Sequence, residues 1–284
     1  MARRVVGATE VACTPLKGLA GGSSFALSAD DDRFVLKAGD AVAVQAEAWA
    51  CRTACAVGVP APVVVDVGEQ DGRPFVLLRW IVGEPMDTPG AAVEVAGAAL
   101  RGVHEVEGQG FGWLFEGGIE DGEPRGAFAT WLDAVLAMSD TSRIEAAGLV
   151  PIGTGDRLRV ALESQRPALE AVTTARFLHG DVHLRHLLRK EAHLVGIIDW
   201  GDAAFGDPLF DFGRFRRCGQ PALAQLAAGY GLKVDPDDAE LIELYCCVWS
   251  VHAMNLELGA GGHWFHEHSE AIDRTLATLE ANLA

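Results

Sequence analysis

The eleven residues LHGDVHLRHLL, running from Leu178 to Leu188, set three histidines around one aspartate. His179 stands two positions before Asp181, His183 two after and His186 five after. Carboxylate and imidazole at this density admit three chemistries: a transition-metal cage, a proton-transfer station, or the working loop of an enzyme that handles phosphate. A second acid bears on the choice. Asp199 closes the apolar run VGIID, eighteen residues beyond Asp181, so its carboxylate sits where a buried strand opens. That separation suits a loop and a strand returning beside their own start. Two carboxylates converging with a neutral imidazole make a site for a hard divalent cation or for proton transfer.

The pattern around these residues supplies a frame. FALSADDDRFVLKAG alternates apolar and polar residues about an acidic turn at Asp30 to Asp32, which predicts a hairpin. VAVQAEAWACRTACAVGV has helical spacing and stops at Gly58, with Pro60 and Pro62 beyond. APVVVDVGEQDGRPFVLLRWIV reads as a second hairpin, turning between Gly68 and Gly72. After GEPM, alanine-rich amphipathic stretches predict helices over 91–105, 126–138, 156–172, 219–230, 236–258 and 266–283. Short apolar runs over 176–200 (FLHG, HLLRK, LVGIIDW) read instead as small strands. A strand-rich part, 1–82, followed by a mostly helical part, 83–284, predicts two lobes of α+β type.

Composition narrows the class. Of 284 residues, 49% are hydrophobic and 22% charged, so the chain folds. No apolar run approaches the roughly eighteen residues of a membrane span. The start, MARRVVGATEVACTPLKG, has two arginines without an apolar stretch behind them. No secretory signal is therefore expected, and a cytoplasmic location follows. Cys13, Cys51, Cys55, Cys218, Cys246 and Cys247 show no zinc-finger spacing and are expected as free, buried thiols. The net charge of −17 argues against a nucleic-acid partner. It either draws a cationic small molecule to the surface or serves solubility alone.

HGDVHLRHLL followed by IIDWGDAAFGDPLFDF resembles the catalytic segment of the aminoglycoside phosphotransferase family. The resemblance implies a bilobal protein-kinase-like fold with a small strand-rich N-lobe and a larger helical C-lobe. It implies that Asp181 accepts the substrate hydroxyl proton and that Asp199 holds Mg²⁺. His186 stands where the family has a metal-binding asparagine. The macrolide phosphotransferases have a similar H-G-D-x-H-x-x-H loop, which accommodates that substitution. His179 is implied to support the loop, while His183 either does the same or touches substrate.

Lys37, ending the strand RFVLK, matches the lysine that grips the α- and β-phosphates, and Glu47 matches its ion-pair partner. Gly21, Gly22, Ser23 and Ser24 lie where the glycine-rich phosphate loop should lie. Backbone groups around Arg79, Trp80 and Ile81 are expected to meet the nucleotide base. LRGVHEVEGQGFGWL resembles a further family segment in which His104 is structural. Asp207 and Asp211 are expected to cap turns and helices beneath the loop, and Asp202 to face substrate. In the C-terminal helices, Glu257, Trp264 and Glu267 either line the acceptor site or belong to an amphipathic helix with an aromatic core face.

The implied activity is transfer of the γ-phosphoryl group of ATP or GTP to a hydroxyl of a small molecule. The expected acceptor is an antibiotic (an aminoglycoside, a macrolide or a basic peptide), so that the protein confers resistance. A cationic acceptor, a monomer or weak dimer, and no membrane partner complete the expectation. Two other readings stand beside it. One is a metal-dependent hydrolase with His179, Asp181, His183 and Asp199 as ligands of zinc or iron. The other is a catalytically silent kinase-like nucleotide-binding protein.

Overall fold

Residues 11–16 and 23–283 are described by a computed structural model. Strands β2 (Ser23–Ala29) and β3 (Asp32–Ala38) form the first hairpin, with Asp30 in the left-handed region at the turn (φ 52°). The second hairpin joins β4 (Val64–Gln70) to β5 (Arg73–Arg79). Its turn is tighter than the span Gly68 to Gly72. Asp71 and Gly72 both take positive φ (53° and 74°), which an Asp-Gly pair tolerates, so Gly68 stays within the strand. With β1 (Val11–Pro15) they make one antiparallel sheet in the order β1-β2-β3-β5-β4.

Helix α1 (Ala41–Ala56) follows β3. The Asp40 carboxylate caps it, accepting from the Val42 and Ala43 N–H groups at 2.8 and 3.4 Å. Gly58, with φ of 85°, lies just beyond its end. Alternation along β3 divides two cores. Phe34 and Leu36 pack with Leu27, Phe75 and Leu77 on one face of the sheet. Val35 packs against the large core on the other, and Lys37, two residues on, shares that inward face.

The remainder is mostly helical: α2 (Ala91–His104), α3 (Trp131–Met138), α4 (Thr154–Ser164), α5 (Leu209–Phe215), α6 (Gln220–Tyr230), α7 (Pro236–Ala260) and α8 (Phe265–Leu283). Two expected helices are shorter. Residues 126–130 are non-helical instead, with Phe128 exchanging backbone hydrogen bonds with Phe111 (2.8 and 3.0 Å) in an isolated bridge, and α3 begins only after its Thr130 cap. The stretch 156–172 breaks after Ser164; a separate short helix, Arg166–Ala171, starts with a proline in its first turn. Helices α2 and α6 approach so closely that a Cβ on Gly97 would lie 2.1 Å from the Leu226 carbonyl oxygen.

Small strands frame the histidine-rich loop as expected. The strands β6 (Glu84–Pro85), β9 (Leu187–Lys190) and β10 (His193–Ile197) form one sheet. Another contains β7 (Gly112–Trp113), β8 (Arg176–Leu178) and β11 (Ala204–Gly206). All six cysteines are free thiols; Cys13 is exposed, whereas Cys51, Cys246 and Cys247 are buried. Among the described residues, no helix is long and apolar enough to cross a membrane.

Candidate active site

The loop between β8 and β9 is held by its backbone. Gly180 has φ of 80°, and a Cβ there would sit 1.7 Å from the Asp202 carbonyl oxygen, so only glycine lets the chain pass. Asp211 in α5 is completely buried and accepts from the N–H groups of His179 (2.9 Å) and Gly180 (2.8 Å). Its carboxylate also takes His104 Nε2–H at 3.0 Å, which leaves His104 Nδ1 to accept from the Tyr230 hydroxyl at 3.1 Å. From α7, the Trp249 indole N–H donates to the Gly180 carbonyl at 2.8 Å.

The histidines divide by their hydrogen bonds. His179 is buried; its Nε2–H donates to the Ile198 carbonyl (3.0 Å) and its Nδ1 accepts from the Asp181 N–H (3.3 Å). The ring therefore ties the loop to the residue before Asp199, and burial pushes its pKa down. His183 Nδ1 accepts from the Arg185 N–H (3.1 Å), which caps its own turn. Its pKa is pushed down to about 3 by burial and then by the Arg214 charge. His186 Nδ1 lies 2.7 Å from the Asp181 carbonyl oxygen. A carbonyl only accepts, so the proton is on Nδ1 and the Nε2 lone pair faces Asp199 Oδ2 at 3.6 Å.

Asp199 adopts the left-handed region (φ 69°, ψ 63°), unusual for a residue with a side chain and worth roughly 1–3 kcal/mol of strain. Its Oδ1 accepts from Lys37 Nζ at 2.7 Å, and the same ammonium donates to Glu47 Oε1 at 2.6 Å. The Lys37 charge holds the Asp199 carboxyl well below the usual range, against the upward push of burial. Burial is also the largest influence on Lys37 and works downward. The Asp199 and Glu47 carboxylates outweigh it, and the lysine stays charged.

Ligand atoms of Asp181, His186 and Asp199 all lie within 4.8 Å of one another. A lone pair turned toward a carboxylate oxygen is unfavourable unless a cation stands between them. The Asp199 carboxylate suits a hard divalent ion, a ring nitrogen fixed by its own Nδ1–H bond is a usable second donor, and Asp181 adds negative charge beside them. The residues present therefore fit Mg²⁺. Asp202 lies beside them, its pKa pushed up to about 8 by burial and then by the charges of Asp181 and Asp199.

A family model described as the phosphotransferase enzyme family matches residues 13–244. The chain belongs to this family. A thermostable mutant of aminoglycoside phosphotransferase APH(4)-Ia, in ternary complex with ADP and hygromycin B, superposes with a TM-score of 0.76 at 17% identity, covering 100% of this chain and 98% of that one. The GDP complex of wild-type aminoglycoside 2′-phosphotransferase-IIIa gives 0.68 at 20% identity, with 98% and 97% coverage. A Haemophilus somnus 129PT protein assigned provisionally as a fructosamine-3-kinase gives 0.69 at 13% identity, with 96% and 95% coverage. No match is found among curated proteins. The fold is the protein-kinase-like one of the aminoglycoside kinases.

In this phosphotransferase, Lys37, Glu47, Asp181, His186, Asp199 and Asp202 come together in one place. Asp207 caps as expected, accepting from the Leu209 N–H (3.0 Å) and the Tyr245 hydroxyl (2.7 Å). Ser24 pairs with Lys37, and Ser23 with Ala38, across the first hairpin. Gly21 and Gly22 lie outside the described residues.

The segment after β5 is partly committed. The N–H groups of Arg79 and Trp80 donate to the carbonyls of Val63 (2.8 Å) and Arg33 (3.0 Å). The Arg79 side chain is paired with Asp32 at 3.0 Å, and Ile81 packs on Gly196. Glu257 is buried and accepts from the Trp264 N–H at 2.8 Å, so its carboxylate closes the turn between α7 and α8. Trp264 is exposed, with the Arg185 guanidinium 5.2 Å from its ring, and Glu267 is exposed on α8.

Two residues in the site escape sequence reasoning. The Nε–H of Arg214 donates to Asp181 Oδ1, and its guanidinium stacks 3.9 Å from the Trp249 ring. Burial works upward on the Asp181 carboxyl, but the Arg214 charge leads the influences that hold it below its ordinary value. The available signal was one arginine inside the apolar run LFDFGRF, where a guanidinium must be buried with a partner.

Proposed function

We propose that the chain transfers the γ-phosphoryl group of ATP or GTP to a hydroxyl of a small molecule. One observation carries this reading: Lys37 spans Glu47 and Asp199, and Asp199 meets His186 and Asp181 in a single cluster. Lys37 would grip the α- and β-phosphates, with Glu47 holding its flexible stem. Asp199 and His186 would hold Mg²⁺, which when bound neutralises charge on the β- and γ-phosphate oxygens. Asp181 would orient the acceptor hydroxyl and take its proton. Phosphoryl transfer needs positioning more than strong base catalysis, so a carboxylate kept acidic by Arg214 is suited to the task.

On this reading, residues 1–82 serve as the nucleotide lobe and residues 83–284 as the catalytic and acceptor lobe, acting as a monomer or weak dimer in the cytoplasm. Solved relatives are complexes with hygromycin B and with kanamycin, which supports aminoglycosides as acceptors to assay, beside macrolides and basic peptides. The hydrolase reading asks His179 and His183 to be ligands. His179 has both ring nitrogens engaged and His183 has Nδ1 engaged, while the clustered histidine is His186. Retention of the Lys37–Asp199 ion pair, with Asp181 within 4.8 Å of Asp199, favours turnover over a silent binding role.

Nucleotide turnover measured against an acceptor panel tests the proposal. We expect acceptor-dependent release of nucleoside diphosphate. Nucleotide binding without turnover across the panel would support the silent reading, and stoichiometric zinc or iron in the purified protein would support the hydrolase.

A further inference from the structure

The charge of the whole molecule and the charge beside Asp181 have opposite signs. The chain carries −17, yet three guanidinium groups gather on the side of Asp181 formed by α5, α7 and α8. Arg214 and Arg217 lie 3.9 and 5.3 Å from the same Trp249 ring. Arg185 projects from the loop itself toward Trp264. The Cys218 thiol feels all three arginines, and it accepts from the N–H of Leu184, the neighbour of Arg185.

Only Arg214 is matched by an acid, the Asp181 carboxylate. Arg217 donates instead to His268 Nδ1 at 2.7 Å, so that ring is a neutral acceptor. Its pKa is pushed down to about 3 by burial and then by Arg217. Among the described residues, neither Arg217 nor Arg185 has a carboxylate within ion-pair distance. Glu267 is the acid that acts on Arg217 from α8, and it is exposed at the rim. Burial and the neighbouring Arg214 push the pKa of Arg217 itself down to about 10. Crowding of like charges in a half-buried place is unfavourable unless an anion completes it.

The nucleotide phosphates do not answer this need. On the proposed reading they lie with Lys37, Asp199 and His186, and of these His186 faces the other Asp181 oxygen, Oδ2, which is 3.6 Å from its Nδ1. Oδ1 is the oxygen that faces Arg214. We infer that the acceptor carries a carboxylate, held by Arg217 and Arg185, next to the hydroxyl that Asp181 receives. A carboxylate matches the planar guanidinium fork in a way that an ammonium group cannot. Trp264 and Trp249 would flank it. A polycationic acceptor would be attracted at long range by the net charge but repelled at contact, so within the acceptor classes proposed above this inference favours those that carry a carboxylate.

This inference rests on the phosphotransfer reading, and its test separates the two. Glucuronate, glucuronamide and glucosamine are titrated against the full chain with Mg²⁺ and AMP-PNP present, alongside other hydroxylated compounds in matched acid, amide and amine forms. Melting-temperature shift and calorimetry report binding. Acids are expected to bind at least about tenfold tighter than their amides. Arg217→Gln and Arg185→Gln should each erase most of that preference while leaving AMP-PNP affinity unchanged. Arg185 is exposed, so its variant keeps the test valid should the half-buried Arg217 variant fold poorly. Absence of any preference for acids, a preference for amines, or a preference that survives both substitutions overturns the inference. So does a parallel loss of AMP-PNP affinity, which would put these arginines on the γ-phosphate. A wild-type chain that binds no AMP-PNP would instead count against the phosphotransfer reading.

Discussion

His186 puts a ring nitrogen where a family-like loop has an amide oxygen, and the position of one proton makes this workable. Because Nδ1–H is spent on the Asp181 carbonyl at 2.7 Å, Nε2 is left as a lone pair beside Asp199. His186→Asn should therefore retain transfer with Mg²⁺, since an amide oxygen is a harder donor, whereas His186→Phe should lose most of it; steady-state rates across Mg²⁺ concentrations check both. Asp181→Asn should lower the transfer rate by about 10²–10⁴, the usual worth of a positioned base, with nucleotide still bound. The convergence of Asp181 and Asp199 was legible from residue type and spacing, and Lys37 was legible through the family resemblance. Arg214 was not, because a single arginine in an apolar helix does not announce which acid it meets across 33 residues. For Glu257 the sequence left two readings open, acceptor site or helix face, and the structure shows its buried carboxylate closing a turn.

At the level of elements, α5 and α7 hold the loop through backbone atoms that sequence patterns do not report. Asp211 holds two loop N–H groups and His104 at once, so Asp211→Asn should cost about 1–3 kcal/mol in denaturant melts and lower turnover with it. Burial works upward on the Asp211 carboxyl, but the His104 hydrogen bond leads the influences that hold it below its ordinary value. A depressed carboxyl stabilises the fold above the unfolded pKa of about 3.9, and that contribution fades as pH falls through the lower folded value. Acid unfolding of the wild type should thus steepen in that window, and the Asn variant should lack this part of the pH dependence. Trp249→Phe keeps a ring under Arg214 but removes the N–H bond to Gly180; it should reduce turnover more than it reduces melting temperature. Hairpins and long helices were readable from period and turn residues. The break near Pro167 and the non-helical stretch before Thr130 lie within alanine-rich sequence whose composition does not mark them.

Across the whole molecule, the division into a strand-rich part and a helical part followed from the sequence order of its patterns, and the two meet at an ion pair spanning 162 residues. Net charge describes only the chain as a whole: −17 does not locate the arginines Arg185, Arg214 and Arg217, which the fold gathers around Cys218. Since Lys37 and Asp199 come from different parts, a ligand bound between them should stabilise both; saturating Mg²⁺ with AMP-PNP at 100 times its dissociation constant should add about 2.7 kcal/mol, seen as a raised melting temperature. The most direct measurement of the central claim is a calorimetric titration of Mg²⁺ and AMP-PNP into the wild type, Lys37→Ala, Asp199→Asn and Asp181→Asn. Affinity is predicted to fall at least about tenfold in the first two variants and to hold within about threefold in the third. Equal affinity in all four proteins, or loss confined to Asp181→Asn, would contradict the account.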